Sequence, residues 1–142
     1  NLYGRAALTW LAVAEYRGTR LSSVTPSVSV TGNRLPYAPE EFATFAVGLE
    51  TPAGLSAELE LFYSGSAFTY DLNTVAVTAN GQRGRIGGHG ILNVTVAHAI
   101  GDALTVYGSA KNLGDKVYVA DMSRGLIPGS PRQLQFGFEY RF

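Results

Sequence analysis

The stretch that decides the fold is QFGFEYRF, from Gln135 to Phe142 at the end of the chain. Every second side chain in it is aromatic, and the residues between are polar or small. A period of two is typical of a β-strand whose two faces differ in chemistry. On an exposed strand of a soluble sheet, such an aromatic row would promote aggregation. We therefore predict a strand whose apolar face meets lipid rather than a protein core.

Composition excludes several classes of function. The chain has 142 residues with 11 basic and 11 acidic side chains, so its balanced charge argues against nucleic acid as a partner. Charged residues make up 15%, against roughly 25% in typical soluble domains. Cysteine is absent, which excludes disulfides, thiolate metal sites and cysteine nucleophiles. The sequence contains no apolar run of about 18 residues, so no membrane-spanning helix is predicted.

The same period of two recurs in five further segments, whereas no long segment keeps a 3.6-residue apolar period. In the clearest of them, Leu59 and Leu61 alternate with Glu58 and Glu60. The sequence thus predicts an all-β antiparallel meander of about six strands. We place these strands at about 2–16, 42–50, 55–64, 90–99, 104–112 and 133–142.

Short and long connections alternate between these strands. The short ones are TPAG (Thr51–Gly54) and the residues around Gly101. The long ones span about 17–41, 65–89 and 113–132. Loops above about 12 to 15 residues are uncommon in compact soluble domains, whereas outer-membrane barrels combine short periplasmic turns with long extracellular loops. We therefore expect transmembrane strands in the bacterial outer membrane, with the C-terminus in the periplasm.

Three stretches carry a resemblance to a known family. QFGFEYRF resembles the signal by which outer-membrane proteins reach the barrel-assembly machinery, with Gln135, Gly137, Tyr140 and Phe142 at its four positions. Together with GNRLPYAPE (32–40) and KNLGDKVYV (111–119), the stretch from 125 to 142 resembles the C-terminal barrel portion of a TonB-dependent outer-membrane receptor. Gly114 departs from the family pattern, which usually has Phe there.

The resemblance implies a function. It is nearest to the ferric-siderophore and ferric-citrate branch, so the chain would be the last six strands of a barrel of about 22. Strands would form the wall, and loops would help bind an iron chelate or similar scarce solute. Implied partners are outer-membrane lipid and lipopolysaccharide, the assembly machinery, the remaining strands and plug, and TonB through the plug. Because six strands cannot close a barrel and the first residue is Asn, we expect a piece of a longer chain.

We find no pattern typical of an enzyme or of a cofactor site. No spacing of His and carboxylates predicts a metal site, and no nucleophile elbow or phosphate-binding loop occurs. The candidate solute-contacting residues are basic ones in the long loops, since Arg binds carboxylate-rich chelates through paired hydrogen bonds. They are Arg34, Arg83, Arg85, His89 and Arg124. These arginines could equally contact lipopolysaccharide phosphates or only solvate the loops.

Two other interpretations remain open on the sequence alone. A small outer-membrane protein could close its barrel by oligomerising and act as a pore or structural protein. A soluble β-sandwich binding module would show the same alternation, because an antiparallel sheet can have one wet face. In the second case, Phe136, Phe138 and Tyr140 would lie beneath another layer of the same chain.

Overall fold

The computed structural model describes residues 1–142, which form ten β-strands and no α-helix. The strands are β1 (Leu2–Trp10), β2 (Glu41–Glu50), β3 (Leu55–Ser64), β4 (Ala67–Phe68), β5 (Arg85–Ile86), β6 (His89–Ile100), β7 (Leu104–Lys111), β8 (Val119–Asp121), β9 (Ile127–Pro128) and β10 (Gln133–Tyr140). The chain contains no helix that is long and apolar enough to cross a membrane.

Six strands form one antiparallel sheet in the order β1-β2-β3-β6-β7-β10. Each strand pairs with the next long strand in the sequence, so the sheet is a simple meander. The other four strands make two short hairpins, β4–β5 and β8–β9, inside the long connections. The all-β antiparallel fold predicted from the alternation is confirmed, and the sheet does not close on itself within this chain.

Burial in this sheet is inverted relative to a soluble domain. On β2, Ala46 and Gly48 of the polar face are buried, whereas Phe45 and Val47 of the apolar face are 50% and 58% exposed. The total accessible surface is 9393 Å², whereas a folded monomer of this mass exposes about 7,100 Å². The apolar face therefore has no protein core against it.

The aromatic row of β10 is exposed. Phe136 and Phe138 are 83% and 72% exposed, and no second sheet of the chain covers them. The soluble sandwich interpretation requires that second layer and is therefore wrong. Since so large an apolar surface is rare on soluble monomers, it indicates contact with lipid or another apolar partner.

The opposite face carries a polar network across the strands. Arg5 forms an ion pair with Glu58, and the Tyr3 hydroxyl donates to the same carboxylate at 3.0 Å. Further along the sheet, Asn93 Nδ2 donates to Glu60 at 2.9 Å. These bonds join β1 to β3 and β3 to β6, so the polar face is tied together by side chains as well as by the backbone.

The first strand is shorter than the sequence predicts. We expected it to reach residue 16, but β1 ends at Trp10. The segment opposite the residues that follow contains Pro36 and Pro39, which have no N–H to donate to a ladder. Pairing continues only as isolated bonds, such as Leu11 N to Glu40 O at 2.7 Å and Tyr16 N to Asn33 O at 2.9 Å.

Candidate functional site

The three long connections pack together at one end of the sheet. We call them the first (11–40), second (65–88) and third (112–132) connections. Asp71 of the second is buried and accepts hydrogen bonds from the Ser22 hydroxyl at 3.0 Å and the Ser23 backbone at 2.6 Å. Burial alone would raise the pKa of Asp71, but these hydrogen bonds outweigh it and lower the pKa. The ionised carboxylate thus fastens the first connection to the second.

Tyr37 joins all three connections. Its backbone N–H donates to the Phe68 carbonyl at 2.7 Å, and its hydroxyl donates to Asp121 at 2.8 Å. Tyr37 also has a φ of 55°, a left-handed conformation that costs a bulky residue about 1 to 3 kcal/mol. Burial, with the bond to Asp121, raises the pKa of Tyr37, so the phenol remains a donor at neutral pH.

Asp121 is held in its charged form at the other end of this bond. The Ser123 side chain and backbone N–H donate to it, as does the Tyr37 hydroxyl. These hydrogen bonds lower the pKa of Asp121 to about 2. The connections are therefore an ordered unit at physiological pH rather than three independent loops.

Asn112 closes the base of the third connection. Its side chain is buried, donates to the Lys116 and Ser130 carbonyls at 3.0 Å each, and accepts from the Lys116 N–H at 2.8 Å. Its φ of 50° is one that Asn tolerates better than most residues. Sequence reasoning missed this role of Asn112, although Asn112, Gly114 and Asp115 are residue types common in turns.

A cavity of about 390 Å³ lies on the polar face below the connections, and we call it the polar-face cavity. His89, at the start of β6, stacks on Tyr118 with ring centroids 4.2 Å apart. Glu60 and Lys111 also line this cavity, and neither takes part in an ion pair. An aromatic stack beside unpaired charges of both signs can bind a polar solute with a flat portion.

A second cavity, of about 310 Å³, lies at the end of the apolar face, and we call it the apolar-face cavity. Arg34 and Arg85 line it together with Glu40, Glu41 and Tyr63. Glu41 and Tyr63 stand in phase with the exposed apolar residues of β2 and β3. The cavity that the two arginines share therefore lies on a different face of the sheet from His89. Arg85 also lines a second groove, between the second and third connections, together with His89.

The candidate solute-contacting residues do not form one cluster. Arg83 lies over the Tyr70 ring at 5.6 Å, and Arg124 is exposed in the third connection. Arg34 and Arg85 share the apolar-face cavity, and His89 lines the polar-face cavity. The sequence pattern also missed Tyr118 and Lys111 as cavity residues, because their proximity to His89 depends on how β6, β7 and the third connection pack.

The four residues that resemble an assembly signal divide between the two faces of β10. Gly137 and Gln135 lie on the polar face, where Gly137 pairs with Tyr107. A Cβ on Gly137 would stand 2.5 Å from the Tyr107 hydroxyl, so the ring occupies the space above this glycine. Tyr140 and Phe142 lie on the apolar side and contact each other edge to face, with centroids 5.3 Å apart.

The chain has no group of three or more His or acidic side chains that could hold a metal ion. Its glycine-rich segments lie in loops or at strand ends, and none precedes a helix. The arrangement is that of a wall with an ordered rim, and its cavities suit binding by charge and aromatic contact.

Comparison with solved structures gives strong matches, whereas no family model matches the sequence. The ferric citrate transporter FecA in its unliganded form superposes with a TM-score of 0.71 and 28% identity, over 80% of this chain and 18% of that one. The ferric-catecholate import receptor Fiu of E. coli K12 in its closed form gives 0.74 and 19% identity, over 99% and 19%. The siderophore receptor PiuA of Acinetobacter baumannii gives 0.72 and 16% identity, over 98% and 19%.

These matches bear on different parts of the interpretation. At their level of identity, the receptors Fiu and PiuA show the fold alone, and FecA adds similarity of sequence. The chain spans about a fifth of the length of each. Its sheet does not close within these residues. The resemblance noted in the sequence is thus confirmed: the chain has the fold of a segment of the barrel wall of a TonB-dependent outer-membrane receptor.

Proposed function

We propose that this chain is the C-terminal wall and outer rim of an outer-membrane transporter for iron chelates. The observation that carries the proposal is the match to the ferric citrate transporter FecA, which combines 28% identity with a TM-score of 0.71. The inverted burial of the sheet supports it, because apolar side chains are exposed on one face and charged ones lie on the other, as expected of a barrel wall with lipid outside and a polar interior.

In this proposal the strands exclude lipid from the lumen, and the outer rim takes part in capture of solute. The polar-face cavity offers Lys111 for an anionic chelate and the His89–Tyr118 stack for its flat portion. Arg83 and Arg124 remain proposed contacts of the same solute from the connections above. Arg34 and Arg85 also remain proposed contacts of a solute: they share the apolar-face cavity, and Arg85 lies as well with His89 in the groove between the second and third connections.

Energy for transport would come from TonB, a separate partner protein, through a plug domain that would belong to the longer protein. The short turns and the C-terminus would lie on the periplasmic side. Gln135, Gly137, Tyr140 and Phe142 would direct delivery to the barrel-assembly machinery, where an exposed strand edge can pair with another strand. Outer-membrane lipid and lipopolysaccharide would surround the wall.

Binding of ferric chelates by the full-length protein tests the solute proposal. We expect Lys111→Gln to weaken binding of an anionic ferric chelate at least about tenfold, because a hydrogen bond to a charged group contributes about 1.5 to 3 kcal/mol. The control Arg17→Gln removes an exposed charge of the first connection that pairs with Glu15 at 3.3 Å. Unchanged affinity in the Lys111 variant, or an equal loss in both variants, would refute the role of the cavity.

A further inference from the structure

The groove between the second and third connections differs in composition from the polar-face cavity, and we call it the rim groove. It has a volume of about 300 Å³, and its lining contains six apolar, non-aromatic side chains. These are Val77, Ile86, Val117, Val119, Met122 and Leu126. The polar-face cavity is lined mainly by polar side chains. The rim groove therefore suits an apolar group that the polar-face cavity does not.

Part of this apolar lining is buried and part is open to solvent. Met122 and Ile86 are buried, whereas Val77 and Leu126 are 49% and 56% exposed. Leu126 also packs against Gly81 of the second connection, where a Cβ would stand 3.2 Å from the Leu126 Cγ, so the two connections contact each other here. Exposed aliphatic side chains around a concave surface are typical of a site for an apolar ligand.

The fully charged side chains of the rim groove are all basic. Arg85 and Lys116 line it, and no acidic side chain does. Both are exposed, and neither takes part in an ion pair. Since an unpaired cation gains most from an anionic partner, an apolar groove with two such cations suits an anion that carries an aliphatic chain.

The rim groove meets the polar-face cavity at the His89–Tyr118 stack, because both rings line both spaces. Gly129 holds the Tyr118 end of this stack. Its N–H donates to the Tyr118 carbonyl at 2.8 Å, and a Cβ on Gly129 would overlap the Tyr118 ring. One solute can therefore contact the stack with a flat portion and the rim groove with a chain.

We propose that the rim groove binds a short aliphatic chain carried by an anionic solute. The chain lies against Val77 and Leu126, and carboxylates of the solute contact Arg85 and Lys116. Under the proposed function, on which this identification rests, the solute is a ferric chelate whose chelator bears the chain. Its flat, iron-bearing portion then lies against the His89–Tyr118 stack.

Binding of a matched pair of ferric chelates to the full-length protein in lipid nanodiscs tests this inference. The probes are the ferric complexes of the N-methyl and N-butyl monoamides of citrate, which carry the same charge and differ by three methylenes. Binding to protein-free nanodiscs is subtracted. Because each buried methylene raises affinity about fourfold, we expect the wild type to bind the butyl chelate at least about tenfold more tightly than the methyl chelate.

Two double variants separate the rim groove from general effects of apolar side chains. Val77→Ser/Leu126→Ser should lose the gain from the butyl chain and bind the methyl chelate as the wild type does. The matched control Leu21→Ser/Val28→Ser removes two aliphatic side chains of the first connection that are also exposed, and it should keep the gain. Heat-dependent migration in electrophoresis checks that each variant is folded.

The basic groups should act on the head of the solute and not on its chain. We expect Lys116→Gln to weaken binding of both chelates by the same factor, at least about tenfold, and to leave the gain from the chain unchanged. Equal wild-type affinities for the two chelates, or an undiminished gain in the Val77/Leu126 variant, would overturn the inference. It would also be overturned if the methyl chelate failed to compete with the butyl chelate, since the two heads would then bind at different sites.

The same measurements separate this inference from the proposed function. A wild type that binds the methyl chelate but gains nothing from the butyl chain would refute the chain site and leave the transporter proposal standing. A wild type that binds the iron-free butyl amide as tightly as its ferric complex, with the gain lost in the Val77/Leu126 variant, would refute the iron chelate as solute. The rim groove would then stand as a site for an anionic aliphatic chain.

Discussion

At the scale of single residues, aromatic rings cover glycines on the neighbouring strand. Tyr3 lies over Gly48, Tyr107 over Gly137, and on the apolar face Phe136 lies over Gly108. The ring fills the space that a side chain on the glycine would occupy. Such pairs compensate for the weak sheet-forming tendency of glycine. Gly137 thus has a packing role whether or not it also belongs to an assembly signal.

We expect Gly137→Ala to lower the free energy of unfolding by about 1 kcal/mol, because the new methyl group displaces the Tyr107 ring. In a Tyr107→Ala background the same substitution should cost almost nothing, since the space is then empty. Denaturant unfolding of the four proteins of this cycle measures the coupling. Equal costs in both backgrounds would show that the ring does not determine the need for glycine.

The hydrogen bonds that Asp121 accepts predict that the order of the long connections depends on pH. The pKa of Asp121 is lowered from 3.8 to about 2, so its contribution is present above about pH 4 and is lost as the pH falls through about 2. Pepsin cleavage within the third connection should therefore accelerate as the pH falls through that window. Asp121→Asn is the control, and its cleavage should show no such step after correction for the activity of pepsin. A step at the same pH in both proteins would contradict the assignment to Asp121.

At the scale of elements, the long strands follow from the sequence. Alternation over Leu55–Ser64 and Gln133–Tyr140 is enough to predict these two strands, because a side-chain period of two belongs to strands and to no helix. The end of β1 was missed because the interruption lies in the partner segment, at Pro36 and Pro39, rather than in β1 itself. The pattern within one segment cannot reveal whether the paired segment has backbone N–H groups to donate.

The candidate site was less predictable than the strands. Basic residue types in the long loops predict contacts with a solute, but the pattern could not separate Arg34 and Arg85 from His89. That division depends on which face each strand end presents and on how the connections fold over it. Tyr37 and Asp121 are 84 positions apart in sequence, so their hydrogen bond has no local signal at all.

We expect Asn112→Ala to open the base of the third connection. The substitution removes buried hydrogen bonds, about 1 to 3 kcal/mol, and places Ala in a left-handed conformation, about 1 to 2 kcal/mol more. Asn112→Gly should lose only the first contribution. Hydrogen exchange measured by mass spectrometry over residues 112–132 reports this local opening. Equal exchange in the two variants would show that the backbone conformation adds no cost.

At the scale of the whole molecule, the sheet has two unpaired edges, β1 and β10. Hydrocarbon does not tolerate free backbone N–H and C=O groups. We therefore infer that both edges pair with further strands of a longer barrel, which agrees with the small fraction of each solved receptor that the chain covers. The ordered rim, tied through Asp71 and Tyr37, would move as one unit on such a barrel.

The central claim is that the apolar face meets lipid and the polar face meets water. Because the chain has no cysteine, nitroxide labels can be placed at Leu59→Cys and Glu60→Cys, adjacent residues of β3 on opposite faces, in a full-length protein lacking other cysteines. Electron paramagnetic resonance in lipid bilayers then measures collisions with oxygen and with a water-soluble nickel chelate. The account predicts that the label at 59 meets mainly oxygen and the label at 60 mainly nickel. Equal accessibilities at the two positions, or the reverse pattern, would contradict it.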